Sequence, residues 1–160
     1  MAQVIITDQS TVADHWSMWV RTIIVGAVTG IVFYELTLII GRYIIDPLVC
    51  RQIINAALCT DSTPLAGNIS AILVAVVGVV AMVRMNIARP IIIGVASAAL
   101  LWNLATWTEG LYWTEALVWS AILYAAAYSL FGWIIRHEKL WVTLSVSVLI
   151  VLIVRIALVL

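Results

Sequence analysis

The sequence predicts an all-α membrane protein, a bundle of about five transmembrane helices joined by short loops. Three observations carry that prediction. Of the 160 residues, 65% are hydrophobic and only 10% are charged, against about 25% charged in soluble domains. The apolar residues come in runs of about 20, the length that crosses a hydrocarbon core. All three prolines, Pro47, Pro64 and Pro90, fall at the edges of these runs, where helices start or stop.

The mean hydropathy of +1.17 leaves no room for a soluble domain, and residues 1–160 read as one transmembrane domain. Eight basic and eight acidic residues cancel, so the chain has no basic footprint for nucleic acid. The first apolar run follows a polar segment with Asp8 and Asp14 and has no basic n-region. A cleavable signal peptide is not expected.

The first span is expected over about 19–45. Thr11 and Asp14 have capping-box spacing, which starts the helix near Thr11, and Pro47 should end it. The core of the span is RTIIVGAVTGIVFYELTLIIGR, Arg21 to Arg42, with one carboxylate, Glu35, well inside. At 100° per residue, positions seven apart nearly coincide, so Arg21, Val28, Glu35 and Arg42 form one stripe. Gly26, Gly30 and Gly41 lie on the other side, and Gly26 with Gly30 makes a GxxxG pair that lets a helix backbone approach closely. These three glycines are the expected helix-packing positions.

An exoplasmic loop over 46–64 should follow. It holds both cysteines, Cys50 and Cys59. As one straight helix, this segment would separate them by about 13 Å, beyond the roughly 7 Å a disulfide tolerates. A bridge therefore requires the loop to bend, and on the oxidising side we expect one that ties a cap over the bundle mouth. The second span is expected over 65–86, with Thr63 as N-cap and Pro64 at the first position. Asn68-Ile69-Ser70 matches a glycosylation sequon but lies at a helix entry, and reads as a chance match.

The remaining spans are expected over 90–107, 115–135 and 140–160. With the N-terminus inside, Arg21, Arg84, Arg89, Arg136 and Lys139 are cytoplasmic, against Arg42 and Arg51 outside. The chain then reads as N-in and C-out, in a plasma membrane. Trp16, Trp19, Trp107, Trp113, Trp133 and Trp141 fall near helix ends, as an interfacial aromatic belt does.

Depth along the odd-numbered spans brings four polar residues to one level. Glu35 lies roughly 21 Å past Arg21, Asn103 roughly 20 Å past Pro90 and Arg155 roughly 24 Å past Lys139; Ser120 reaches the same level from the fourth span. A charge at such depth costs about 3 kcal/mol on insertion scales. One reading is a Glu35–Arg155 pair, helped by Asn103, that docks helices. Another is a carboxylate that binds a proton or cation, with Arg155 as its release group.

No catalytic triad, phosphate loop or paired catalytic carboxylate is visible, so an enzyme is not expected, nor a cofactor. His15 and His137 lack a second ligand, and two cysteines without a nearby histidine make a poor metal site. The first expectation is a non-catalytic membrane subunit. Its partners are the lipid bilayer and either copies of itself or other membrane-protein subunits. The alternative is a small proton- or cation-coupled transporter or channel using an intramembrane polar layer of Glu35, Asn103 and Arg155.

Overall fold

The structure is a computed structural model that describes residues 4–50, 62–87, 89–135 and 140–159. Among these residues all regular structure is helical. Helix α1 is Val4–Ile39 and continues into a π-helical segment, Ile40–Cys50. Then come α2, Ser62–Arg84, α3, Pro90–Leu100, the single turn α4, Leu104–Trp107, α5, Trp113–Ile134, and α6, Leu140–Val159. Three stretches are long and apolar enough to cross a membrane: Trp19–Leu48, Thr63–Arg84 and Trp113–Ile134. Helix α3 and Trp141–Ala157 are shorter apolar helices.

The first helix departs from the sequence expectation at both ends, and at Pro47 the cause is local. Pro47 does not end the first helix but sits inside the π-helical segment. An interior proline clashes with the carbonyl four residues back. The wider i→i+5 pattern, adopted from Ile40 onward, moves that carbonyl away and lets the helix run on to Cys50. The start also differs: the helix begins at Val4 rather than near Thr11.

The third expected span is broken. The Leu101 N–H still bonds to the Ser97 carbonyl at 3.0 Å, but Asn103 turns left-handed at φ 67° and α4 starts afresh at Leu104. Asparagine tolerates that conformation better than most residues with a side chain. The Asn103 carbonyl then accepts from both the backbone N–H and the hydroxyl of Thr106, at 3.0 and 2.7 Å, which fixes the start of the new turn.

Helix α2 stops cleanly. Asn86 is left-handed at φ 54°, the Asn86 N–H bonds to Val83 O at 3.1 Å and the Ile87 N–H to Met82 O at 3.0 Å. This is the Schellman pattern with asparagine in the glycine position. Its accompanying apolar contact is present too, since Met82 and Ile87 are both buried in the core.

Packing follows the small residues. Helices α1 and α5 are antiparallel, with Thr22 opposite Gly132, Gly26 opposite Ala125 and Gly30 opposite Ala121. Helix α2 lies on the other flank of α1, through Gly41 and Ala66 at one level and Thr29 and Gly78 at another. Helix α3 packs on α2 and α5, and α6 lies outside, on α3 and α5. Phe33, Val74, Met82, Ile93, Leu104, Tyr124, Tyr128 and Phe131 fill the centre. Among the described residues α1 and α6 share no packed interface.

Candidate functional site

The residues at the bundle centre come from one stripe of α5. Ser120, Tyr124 and Tyr128 are four apart, so they share a face, and all three are buried. That face meets the glycines of α1. A Cβ on Gly30 would collide with the Ser120 carbonyl and come within 2.7 Å of the Ala121 Cα. One on Gly26 would stand 2.8 Å from the Ala125 Cα and 2.9 Å from the Tyr128 Cβ. Gly41 meets only the Ala66 Cβ, at an ordinary 3.7 Å.

Tyrosine rings fill what the small residues leave open. Tyr124 lies against Phe33, ring centroids 5.3 Å apart and tilted by 40°, and 6.3 Å from Tyr128. The Tyr128 hydroxyl reaches across the core to rest over Gly78 of α2. The Thr29 hydroxyl is its neighbour, without the geometry of a hydrogen bond. The hydroxyls of Ser97, Ser120 and Tyr124 are likewise buried with no protein partner. By contrast, Ser70 donates to the Ala66 carbonyl of its own helix at 2.8 Å.

The four polar residues that the sequence places at one level do not converge. Glu35 is exposed on the outer face of α1. Arg155 is half-buried on α6, which has no packed interface with α1 among the described residues, and no ion pair joins Glu35 to Arg155. Asn103 forms the helix break, where its backbone conformation and carbonyl are what the fold uses. Ser120 alone is in the core, behind Gly30. The reason is geometric: counting residues gives distance along a helix, but not helix rotation or neighbour order.

At the end of the bundle where α2 begins, a hollow of about 150 Å³ is lined by Phe33, Tyr34, Thr37, Thr63, Thr108 and Glu109, among others. Its threonines are largely spoken for. Thr37 donates to the Phe33 carbonyl at 2.8 Å, and Thr108 reaches the Leu104 and Ala105 carbonyls at 3.2 and 3.3 Å. No group of three or more metal-ligating side chains occurs among the described residues. Cys59 lies outside the described residues, and no disulfide is present among them. Arg51, Arg136, His137 and Lys139 also lie outside.

The central tyrosines were not singled out from sequence, although a signal was present. Ser120, Tyr124 and Tyr128 repeat every four residues, flanked by Ala121 and Ala125 at the same spacing and by Gly132 seven residues further on. That is a polar ridge beside a small-residue groove. The chain matches no protein-family model, and comparison with curated proteins and with solved structures found no match. The functional reading therefore rests on the geometry.

Proposed function

We propose that this protein is a non-catalytic integral membrane subunit, which packs against copies of itself or other membrane proteins in a larger complex. The observation that carries this reading is Glu35. It lies at least 13 residues from either end of the apolar stretch Trp19–Leu48, and it is exposed on the surface of the folded chain. A carboxylate facing lipid at that depth costs about 3 kcal/mol, a cost that a partner helix with a donor or a cation removes. The in-chain docking role for Glu35 gives way to an intermolecular one.

In the same proposal the chain crosses a plasma membrane five times, N-terminus cytoplasmic and C-terminus outside. Helix α6 has the length for a fifth span at 20 residues, about 30 Å. Helices α3 and α4, with the turn between them, make a bent third span whose irregular backbone is shielded by α2 and α5.

A second reading has one observation in its favour. The buried hydroxyls of Ser97, Ser120, Tyr124 and Tyr128 lack protein partners, and water or a migrating proton could use them. The transport reading would then run through the tyrosine core, not through Glu35.

The deciding experiment is a native mass spectrum of the protein, extracted gently from its own membrane without overexpression. Copies of the chain or other membrane proteins in fixed ratio support the subunit reading. A bare monomer overturns it and favours proton-flux measurements in liposomes, with Tyr128→Phe as the comparison.

A further inference from the structure

Two charges of opposite sign, with no ion-pair partner among the described residues, lie on different sides of this bundle, each at the end of an apolar surface. On α1 the outward stripe is Ile24, Val28, Ile31 and Glu35, all exposed. Between α3 and α6 runs an open apolar groove of about 420 Å³. Its α6 wall includes Leu144, Val148 and Val151, and Arg155 is the next position on that same face, one turn further on. The spacing of both stripes is four, three, four: 24, 28, 31, 35 on α1 and 144, 148, 151, 155 on α6.

Depth and direction also agree. Helix α6 begins five residues after Ile135, at the end of the bundle where α1 enters. Near its far end Val154 shares a groove with Leu100, Leu101 and Leu123. It therefore runs the same way as α1. Ala99 and Leu152 line one groove, and Ala105 shares the hollow where α2 begins with Phe33 and Thr37. Arg155, three residues past Leu152, thus comes within about a turn, ~5 Å, of the level of Glu35.

We propose that the outer face of α1 docks into the α3–α6 groove of a second copy of this chain, and that Glu35 of one copy pairs with Arg155 of the next. The inference rests on the subunit reading and deepens it by naming the partner and the contact. Copies that share one membrane orientation present α1 and α6 parallel. With Glu35 beside Arg155, Ile31 falls opposite Val151, Val28 opposite Val148 and Ile24 opposite Leu144. Charge complementarity selects this occupant over an acyl chain, which would fill the groove but leave both charges unpaired. The two faces differ, so the contact is heterologous and propagates from copy to copy until a ring closes.

The test uses two differently tagged forms of the full chain in one membrane, one carrying Ile31→Cys and the other Val151→Cys. Oxidation should give a mixed-tag cross-link at least tenfold above that of Ile31→Cys with Ile153→Cys, which lies at the same depth but faces away, and above that of the chain with only its own cysteines. Glu35→Arg should cut the cross-link at least tenfold, and Arg155→Glu in the other form should restore it. Glu35→Gln, the gentler variant, should weaken it without affecting insertion. Equal cross-linking in the two pairs, with copies still associated, overturns this contact but leaves the subunit reading intact. Partners other than a second copy do the same. A monomer with only lipid in the groove overturns both.

Discussion

Gly78 of α2 lies directly beneath the hydroxyl of Tyr128 from α5, so close that a Cβ there would overlap the oxygen. The Tyr128 ring is fully buried and cannot swing aside. Gly78→Ala should therefore destabilise the chain by about 1–3 kcal/mol, the usual cost of overpacking. Adding Tyr128→Phe removes the oxygen and leaves the ring carbon 3.2 Å from the new methyl, so the double variant should recover most of the loss. A double-mutant cycle from thermal unfolding in detergent reads the coupling. Additive effects would mean that the two residues do not meet.

The three packing glycines should rank by what faces them. Gly30 faces backbone, which cannot yield, so Gly30→Ala should cost about 3 kcal/mol, near the top of the overpacking range. Gly26→Ala should cost less, since its closest contacts are at 2.8 and 2.9 Å. Gly41→Ala adds an ordinary contact to Ala66 and should stay within about 0.5 kcal/mol of the parent. Unfolding titrations in mixed micelles would measure the order, and a costly Gly41→Ala would contradict it.

Asn103 is held at φ 67°, a conformation that glycine adopts freely and β-branched residues resist. Asn103→Gly should be neutral within about 0.5 kcal/mol, whereas Asn103→Val should lose about 1–3 kcal/mol. If Asn103→Gly proved as harmful as Asn103→Val, the side chain and not the backbone would be the reason for asparagine.

Glu35 separates folding from assembly. Its side chain is exposed, so Glu35→Gln should leave the unfolding of the isolated chain within about 0.5 kcal/mol of the parent. The same change should release the partners with which the parent co-purifies. Lower stability of the isolated chain with intact co-purification would reverse the role assigned to this residue.

Particular residues show how much of this was readable in advance. The GxxxG pair at Gly26 and Gly30 could be seen in the sequence, but not that α5 is the helix it faces. Glu35, Asn103 and Arg155 could be seen as polar groups well inside apolar runs, and the fixed rise per residue placed them at similar distances along those runs. Their failure to meet depends on rotation and on which helices are neighbours, and those depend on packing. Tyr124 and Tyr128 were not read from the sequence, because nothing local marks a hydroxyl that will cross a core to a glycine three helices away in the chain.

The sequence by itself determined that the chain is helical and apolar, that helices begin close to Pro64 and Pro90, and how far along its apolar run each polar residue lies. Those properties follow from composition, from period and from the rise of a helix, all of which are local. Only the tertiary structure decided that α1 closes on α5, that α6 stays at the edge, and that the helix breaks at Asn103 while passing through Pro47. Among helices that are apolar all round, hydropathy has no preferred face. The fit of side chains such as Tyr128 against Gly78, and Ser120 against Gly30, then sets which surfaces meet and leaves Glu35 turned outward.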